Sequence, residues 1–459
     1  MAILAEAMME DGRLDPCLVL TDDVLVGKAN AADYVRLPKV ELPAPHIRVP
    51  WELPSEYQDQ KPPFTKLLLR VCSKLIPEWA FEIWWQRKWY QQYYDNALKL
   101  IKQTRPLALV TIDDRLPGTI PMLKAARSMG VATLVVPVAV SAFSKSLAAI
   151  RSTQPDRNIN HPHQIFLKRW VAWRYPNQVL TEGKGRYLFY TPTNTIALEA
   201  CGMLPNNPFS LGGGLAQKVA VGEDDKQRLV QDGLEPSKVA VTGDPGSDRL
   251  YQAFRQKKIR KDRLIKDYRL DPTSKILLCA LPQFGEHGQV SWERHWQIVR
   301  ELVNALAASG QTVMISLHPK ADQFNYLFLE AVSGVKIVQD PLMEILPCAD
   351  IFISALSSTV RWAVLSAVPV IVMDILESNL PLFKNIKGTI HISGKNIFRK
   401  LSETLNELLT DNFSLQQLRQ ALAKEAPKVS PFDGRANQKI IDLVLAMSCH
   451  RQVKRTADS

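Results

Sequence analysis

An apolar run in the second half of the chain, "MISLHPKADQF" (314–324), stops at a histidine–proline pair and turns polar at once. The His318 imidazole can give a hydrogen bond or a positive charge to a phosphate oxygen, and Pro319 would fix the turn that aims it. A surface histidine at the end of a strand is the simpler interpretation. Taken alone, the pair leaves both interpretations open.

A second apolar run, in "ADIFISALSSTVRWAV" (349–364), ends on three hydroxyl side chains, and helical spacing follows. They are Ser357, Ser358 and Thr359. The first turn of a helix has free backbone N–H groups and the positive end of the helix dipole, to which hydroxyl groups add further donors. The segment therefore suits a phosphate group, although plain N-capping gives the same pattern. Two such strand ends in one domain favour a shared phosphate site.

The segment "LPQFGEHG" (281–288) follows another predicted strand and contains Gly285 and Gly288. Glycine lets the backbone approach a ligand closely. We predict a phosphate or nucleotide contact at Gly285, and an ordinary turn explains the pattern nearly as well.

The first half of the chain contributes an acidic pair at a strand end. Asp113 and Asp114 lie in "VTIDDRLPG", ahead of a proline and a glycine. A carboxylate there can act as a general base across a cleft, and an aspartate that caps the next helix is the structural alternative. We predict the catalytic base to be one of these two residues.

Several motifs with well-defined chemistry are missing from the sequence. It has no Asp-x-Asp, no glycine-rich P-loop and no Gly-x-Gly-x-x-Gly. Metal-ligand spacings of cysteine, histidine or carboxylate groups are missing too. We therefore expect no metal and no bound cofactor.

Short apolar runs alternate with segments of helical spacing from residue 101 onward. The predicted strands are 107–112, 131–138, 218–222, 238–245, 275–282, 311–319, 335–339, 349–354 and 369–374. The predicted helices are 119–130, 224–232, 291–310, 358–367 and one within 430–447. Fully apolar strands that alternate with helices predict an α/β fold with a parallel sheet covered on both faces. Such sheets bind ligands at the carboxyl ends of their strands.

The 459 residues suit two domains, because one ordinary core does not extend over so long a chain. A basic, poorly patterned stretch (251–275) separates two series of strands. We predict an N-terminal domain over 1–250, a ligand-binding C-terminal domain over 251–430, and a final helix with a basic tail over 431–459. The chain opens with helical spacing rather than a strand. Either the first strand is absent, or the sequence starts inside a longer one.

The bulk composition is that of a globular protein, with 46% hydrophobic and 22% charged residues. The net charge of +11 fits nucleic acid, an anionic membrane or phosphorylated substrates. No zinc finger, RNA-binding signature or long basic run supports nucleic acid. Six scattered cysteines, no apolar run of 18 residues and no secretory leader predict a cytoplasmic protein with reduced thiols.

An aromatic, basic stretch (64–94) and the segment "FLKRWVAWRY" (166–175) mix tryptophan with lysine and arginine. Such mixtures suit a membrane interface, where rings lie at headgroup level and cations meet anionic lipid. A helix packed on the domain with tryptophan as core is the alternative. The net charge adds support to peripheral contact with the inner face of an anionic membrane, and both interpretations stay open.

Over most of its length the chain resembles glycosyltransferases of the GT-B architecture. The resemblance rests on "KVAVGEDDKQRLVQDGLEPSKVAVTGDPGSDRL", "ILLCALPQFGEHG", "SLHPKAD", "DPLMEILPCADIFISALSSTVRWAVLSAVPVIVMDI" and "FDGRANQKI". It implies two Rossmann-like, doubly wound domains that face each other across a cleft. A nucleotide-sugar donor would lie mainly on the C-terminal domain, the acceptor would enter from the N-terminal side, and the last helix would cross back to the first domain.

Two groups within that architecture are similar to this chain. Bacterial sialyltransferases and related capsule sugar transferases carry an acidic pair followed by glycine, a His-Pro motif and a Ser-Ser motif. Asp113 and Asp114 match the first motif, with Arg115 in place of the glycine. UDP-N-acetylglucosamine 2-epimerases also have a His-Pro pair and a "FDG" segment, but they carry Ser-Gly-Gly where this chain has "LSSTVRWAV".

These patterns together predict metal-independent transfer of a sugar from a nucleotide donor to a surface-glycan or lipid-linked acceptor. Asp113 or Asp114 would remove the acceptor proton, while His318 and the three hydroxyl groups would stabilise the leaving phosphate. Asp374, which ends a strand, and Glu377 after it are predicted to contact the sugar. The alternatives are an epimerase-like enzyme and a non-catalytic GT-B protein that binds a glycan or acts as a scaffold.

Overall fold

The computed structural model of the chain describes residues 2–20, 39–42, 77–137, 154–182, 185–318, 321–378, 380 and 382–457. The chain divides into two compact units. The N-terminal unit comprises Met1–Val221, Asp225–Ala240 and Gln438–Ser459. The C-terminal unit comprises Gly222–Asp224 and Val241–Asn437. The main division falls at residue 240, whereas the sequence pattern placed it at residue 250.

The first part of the chain holds eight strands and six helices among its described residues. The strands are β1 (Leu18–Leu20), β2 (Lys39–Glu41), β3 (Ala108–Thr111), β4 (Ala132–Val135), β5 (Val179–Glu182), β6 (Gly185–Leu188), β7 (Lys218–Val221) and β8 (Val239–Val241). The helices are α1 (Ala2–Asp11), α2 (Glu78–Thr104), α3 (Thr119–Ser128), α4 (Ile165–Arg174), α5 (Pro192–Ala200) and α6 (Glu223–Gln231).

The main sheet of the N-terminal unit has the strand order β3-β4-β7-β8. The β3–β4 and β4–β7 pairings are parallel, as the sequence pattern predicts. The antiparallel hairpin β5–β6 was not predicted, and neither was β2, the parallel partner of β1. The hairpin sequence mixes polar and apolar residues over only four positions per strand, which gives too little periodicity to predict.

The second part of the chain holds six strands and nine helices among its described residues. The strands are β9 (Ile276–Ala280), β10 (Thr312–Ser316), β11 (Lys336–Val338), β12 (Ile351–Ala355), β13 (Val370–Asp374) and β14 (Thr389–Ser393). The helices are α7 (Ser247–Arg255), α8 (Lys257–Asp267), α9 (Trp292–Ala307), α10 (Phe328–Ser333), α11 (Leu342–Ile345), α12 (Val360–Leu365), α13 (Ile397–Thr410), α14 (Asn412–Val429) and α15 (Ala436–Ala457).

The six strands of the C-terminal unit form one parallel sheet in the order β11-β10-β9-β12-β13-β14. Counted from β9, the order is 3-2-1-4-5-6, which is that of the doubly wound Rossmann fold. The direction of winding reverses between β9 and β12. Ligands of such sheets bind at this switch point, beyond the carboxyl ends of the strands.

The strands of this sheet are apolar at almost every position because both of its faces are covered. Leu277 and Cys279 of β9 belong to one buried cluster, and Ile276 and Leu278, on the other face, belong to another. The same alternation continues in β12, where Ile353 and Phe352 lie in different clusters. This confirms the predicted sheet with helices on both sides.

One predicted helix of this unit has different bounds in the structure, and one strand and the helices α7, α8, α10, α11, α13 and α14 were not predicted. Helix α12 spans Val360–Leu365 rather than 358–367, and Ala367 just beyond it has a positive φ of 51°, which ends the helix. Strand β14 was not predicted, because "TIHIS" alternates polar and apolar side chains at the edge of the sheet and lacks the fully apolar signal of its neighbours.

Helix α2 carries most of the described part of the aromatic stretch. Tyr90 and Tyr93 are buried, and the ring of Trp89 stacks on Tyr93 with 5.1 Å between centroids. Trp79 and Trp84 are 41% and 42% exposed. The aromatic side chains near the middle of this helix are therefore packed in a core, as one interpretation predicted, whereas those near its start are exposed. Residues 64–76 lie outside the described residues. Neither α2 nor any other helix in the described part of the chain is long and apolar enough to cross a bilayer.

Helix α15 returns the end of the chain to the N-terminal unit. Its buried residues Ile440, Ile441 and Val444 share a cluster with Leu4 of α1 and Leu134 of β4. Most of the helix thus completes a core whose other members come from the first half of the chain.

Candidate functional site

The predicted residues of the C-terminal unit follow four strands that are neighbours in the sheet, in the order β10-β9-β12-β13. They are Gly285 after β9, His318 after β10, Ser357, Ser358 and Thr359 after β12, and Asp374 and Glu377 at the end of β13. Because all four strands are parallel, their carboxyl ends meet at one edge. The residue after His318, Pro319, lies outside the described residues.

The hydroxyl groups after β12 form a chain of contacts. Thr359 Oγ1 donates to Ser357 Oγ at 3.0 Å, and the Thr359 N–H reaches the same oxygen at 3.3 Å. The buried Ser354 Oγ lies 3.4 Å from Thr359 Oγ1. Since Ser357 Oγ accepts from Thr359, its own proton can be donated outward, and Ser358 is exposed. Two hydroxyl groups can therefore face a ligand while Thr359 supports them.

His318 is exposed, and its ring lies edge-on to the ring of His287 with 6.3 Å between centroids. His287 belongs to the loop after β9, so the contact joins the loops of two adjacent strands. The sequence pattern singled out His318 and not His287. Two imidazole rings therefore lie side by side at this edge of the sheet.

Gly285 serves the packing of its loop. A Cβ atom at this position would lie 2.9 Å from the Trp292 ring and 3.1 Å from the His295 ring, so a larger residue would displace them. The Gly285 N–H points to His295 Nδ1 at 3.4 Å. The missing side chain thus accommodates α9, and the role of Gly285 toward a ligand stays a prediction.

A buried hydrogen-bond network holds the loop after β9. His295 is fully buried, its Nε2 lies 2.9 Å from the Tyr326 hydroxyl, and Tyr326 donates to Glu286. Because Nδ1 accepts from the Gly285 N–H, the ring proton is on Nε2. His295 therefore donates to the Tyr326 hydroxyl, which in turn donates to Glu286. Burial lowers the pKa of His295, with Glu286 opposing this, and burial with the Glu286 charge raises the pKa of Tyr326. The network is therefore built from a neutral imidazole and a neutral phenol.

Gln283 is the least satisfied polar side chain of this edge. It lies in the loop after β9, only 8% exposed, and neither its Oε1 nor its Nε2 has a hydrogen-bond partner among the residues that the structure describes. A buried amide without partners costs about 1–3 kcal/mol for each unsatisfied group. The sequence analysis did not single out Gln283, because the sequence of this glycine-rich loop does not show that the side chain is buried.

The carboxylate of Asp374 is engaged in its own turn. Asp374 Oδ1 accepts from the Ser378 N–H at 2.9 Å and from Ser378 Oγ at 3.0 Å. Glu377 is exposed and has a positive φ of 50°, which is strained for a glutamate. Asp374 therefore shapes the loop that presents Glu377, and contact of either residue with a sugar stays a prediction.

The acidic pair follows β3 in the N-terminal unit, and its two members have different surroundings. Asp114 is 0% exposed, and its two oxygens accept the N–H groups of Gly212 at 3.0 Å and Gly214 at 2.9 Å. Burial raises the pKa of Asp114, while these two N–H groups oppose the rise. Asp114 is thus the acceptor that fixes a glycine-rich loop.

Asp113 pairs with the residue that replaces the expected glycine. Its Oδ2 lies 2.7 Å from Arg115 Nη2, and its Oδ1 accepts the Arg115 N–H at 2.7 Å. Arg115 also accepts from the Tyr190 hydroxyl through its carbonyl at 2.6 Å, and its guanidinium lies over the Phe189 ring. Arg115 therefore orients Asp113, whose side chain is 16% exposed.

Among the residues that the structure describes, no group of three or more histidine, cysteine, aspartate or glutamate side chains could hold a metal ion.

No protein-family model and no curated protein matches the sequence. Similar solved structures include UDP-GlcNAc 2-epimerase from Neisseria meningitidis bound to UDP-GlcNAc, with 12% identity, a TM-score of 0.52, and 97% of this chain and 96% of that chain covered. A glycosyltransferase from Rickettsia africae ESF-5 has 12% identity and a TM-score of 0.46 over 97% and 93% of the two chains. UDP-GlcNAc 2-epimerase from Methanocaldococcus jannaschii has 12% identity and a TM-score of 0.45 over 97% and 95%. With the Neisseria structure, the sheet topology establishes the GT-B fold, with two Rossmann-like units.

Proposed function

We propose that this chain is a nucleotide-sugar enzyme that transfers the sugar to a surface-glycan or lipid-linked acceptor. The observation that carries the proposal is Gln283, a buried amide without partners at the switch point of the C-terminal sheet. Donor and acceptor atoms that are left unpaired in the free protein are suited to a ligand with both hydroxyl and phosphate groups, such as a nucleotide-sugar.

The donor phosphate would lie over the loops after β9, β10 and β12. Ser357 and Ser358 would donate hydrogen bonds to its oxygens, and His318, with His287 beside it, would supply positive charge. As the bond between the anomeric carbon and the phosphate oxygen breaks, negative charge grows on that oxygen, and donors already in place stabilise it. This arrangement needs no metal ion in our proposal.

On the acceptor side, Asp113 is the better candidate for the general base. Asp114 is fully buried, and both of its oxygens accept backbone N–H groups, whereas the Asp113 side chain, paired with Arg115, is 16% exposed. The acceptor hydroxyl would lose its proton to Asp113 while its oxygen attacks the anomeric carbon. Asp114 would act as a positioning residue through the glycine-rich loop.

A second candidate is a 2-epimerase-like activity on a UDP-sugar. The Neisseria structure, which covers almost all of both chains, is a UDP-GlcNAc 2-epimerase with UDP-GlcNAc bound. In that reaction the sugar changes configuration at C2, and no acceptor is required.

The test is an activity screen of the purified protein with common nucleotide-sugars, with and without glycan or lipid-linked acceptors, followed by NMR. Sugar transfer predicts acceptor-dependent release of the nucleotide. Ser358→Ala and His318→Ala should each lower the rate about 100-fold, the usual effect of removing a donor to a leaving oxyanion.

The control is Ser333→Ala, at the end of α10 and away from this edge of the sheet, which should leave the rate unchanged. Conversion of a UDP-sugar to its C2 epimer without an acceptor would favour the second candidate. Tight glycan binding without any reaction would instead indicate the non-catalytic alternative.

A further inference from the structure

Helix α4 of the N-terminal unit exposes its large aromatic side chains, whereas an ordinary surface helix buries them. In its sequence, IFLKRWVAWR, the residues Lys168, Val171 and Ala172 are 1%, 0% and 4% exposed. The Lys168 ammonium donates to the carbonyl oxygens of Asp156 at 2.7 Å and Asn158 at 3.1 Å, which stabilises its burial. The helix thus packs through a lysine and two small or medium side chains.

The large aromatic side chains of α4 face outward as a result. Phe166 is 86% exposed, Trp170 45% and Trp173 77%. Their spacing of four and three residues places them on one face of the helix. Soluble proteins seldom expose a contiguous aromatic surface of this kind unless it binds something. We name this surface, Phe166, Trp170 and Trp173, the aromatic face.

Cations accompany the aromatic face. Arg169 and Arg174 are exposed, and α4 contains no acidic residue. Arg174 also lies over the Tyr175 ring, 5.1 Å from its centroid. Burial, and after it the charge of the exposed Glu199 of α5, raises the pKa of Tyr175. Two arginines thus stand beside three aromatic rings, on a chain whose net charge is +11.

From this juxtaposition we propose that the aromatic face of α4 docks on an anionic lipid bilayer. Phe166 and Trp173 would enter the boundary between headgroups and acyl chains, and Arg169 and Arg174 would meet the lipid phosphates. Protein partners and bilayers both bind aromatic surfaces. The positive charges of Arg169 and Arg174 beside the aromatic face favour an anionic bilayer. This proposal does not rest on the proposed enzymatic function.

The experiment is co-sedimentation of the full chain with vesicles of phosphatidylcholine alone or mixed with phosphatidylglycerol. Binding should require the anionic lipid and weaken as salt is raised from about 0.05 M to about 0.5 M, because salt screens exposed charges. The double variant Phe166→Ala, Trp173→Ala should bind the vesicles at least about tenfold more weakly than the wild type, because it removes two large apolar side chains from the lipid contact.

Matched controls are available in the C-terminal unit. Phe324 and Phe413 are 83% and 69% exposed, and replacing both with alanine should leave vesicle binding unchanged. In the charge arm, Arg169→Gln and Arg174→Gln should each cost about fivefold in binding to the anionic vesicles. Arg263→Gln with Arg399→Gln, at two other exposed arginines, should have no such effect.

Equal vesicle binding by the wild type and the Phe166→Ala, Trp173→Ala variant would overturn the proposal. So would a wild type that binds no vesicles and forms a dimer that this variant loses, because the aromatic face would then contact a second copy of the chain. Circular dichroism of each variant ensures that a loss of binding is not a loss of fold.

Discussion

Asp113 and Asp114 are adjacent in sequence, yet the structure uses their carboxylates in different ways. Asp114 is enclosed and hydrogen-bonded to the backbone of Gly212 and Gly214, while Asp113 is held by Arg115. The sequence pattern located the pair at a strand end but could not separate the two members, because the partners of Asp114 are 98 and 100 positions away in the sequence. Likewise, the pattern singled out the serines after β12, whose role stays a prediction, but not Gln283, which is notable for its burial.

Replacing Asp114 with asparagine should destabilise the N-terminal unit. The amide would turn an N–H group toward the N–H of Gly212 or Gly214, so one buried donor would lose its acceptor. The expected loss in the free energy of unfolding is about 1–3 kcal/mol, measured by urea titration.

The control for this variant is Asp95→Asn on the exposed side of α2, where a change within about 0.5 kcal/mol is expected. If Asp114→Asn keeps full stability and loses all activity, Asp114 acts on the substrate itself and the positioning role is wrong.

At the scale of elements, the order of the C-terminal sheet brings together loops that are far apart in the chain. The network of Glu286, His295 and Tyr326 then joins the loop after β9 to α9 and to the turn that follows β10. Apolar runs predicted the strands that are covered on both faces. They did not predict the edge strand β14 or the hairpin β5–β6, whose stability comes from tertiary contacts rather than from a periodic pattern.

The network predicts a pH dependence of stability in the C-terminal unit. Burial lowers the pKa of His295 below its ordinary value of 6.5. As pH falls, the unfolded chain therefore binds a proton first, so the free energy of unfolding decreases below about pH 6.5. His295→Gln should flatten this decrease between about pH 7 and about pH 5.5 in urea titrations, because glutamine does not titrate.

Exposed His163 gives a matched control, and His163→Gln should keep the pH dependence of the wild type. Burial also lowers the pKa of His391. This residue therefore adds to the loss of stability at low pH in the wild type and in both variants. Identical pH profiles of His295→Gln and the wild type would show that His295 is protonated equally in both states.

Across the molecule, the N-terminal unit is assembled from segments that are far apart in the chain. Residues 438–459 belong to this unit, although they follow the entire C-terminal sheet in sequence. The resemblance to GT-B proteins predicted that the last helix returns to the first domain. Residue periodicity alone predicted only a helix, since a helical pattern does not tell which unit will cover its apolar side.

Ile440→Ala should therefore destabilise the N-terminal unit. Ile440 is fully buried in the cluster that contains Leu4 and Leu134. Truncating a buried isoleucine to alanine costs about 2–5 kcal/mol. Hydrogen exchange should show faster exchange of the amides of β4 and β7, with those of β9 and β12 little changed.

The neighbouring exposed residue Asp442, which pairs with Arg13, supplies the control. Asp442→Ala should change the free energy of unfolding by no more than about 1 kcal/mol, as is usual for surface ion pairs. Faster exchange in the C-terminal sheet alone would contradict the assignment of α15 to the N-terminal core.

We propose that the carboxyl edge of the C-terminal sheet binds a nucleotide-sugar and that Gln283 contacts it. The most direct measurement is a metal-free thermal-shift screen of the wild type and Gln283→Leu against UDP, CMP, GDP, CDP and their common sugars. Exposed Gln297 on α9 provides the control Gln297→Leu. A ligand at 100 times its Kd stabilises the native state by about 2.7 kcal/mol, so the melting point rises measurably.

We predict that one nucleotide family raises the melting point of the wild type and of Gln297→Leu but not that of Gln283→Leu. The free Gln283→Leu protein should be at least as stable as the wild type, because the substitution removes two unsatisfied polar atoms. That combination separates a ligand contact from a structural role. A nucleotide shift that Gln283→Leu retains in full, or no shift for any nucleotide in well-folded wild type, would contradict the claim.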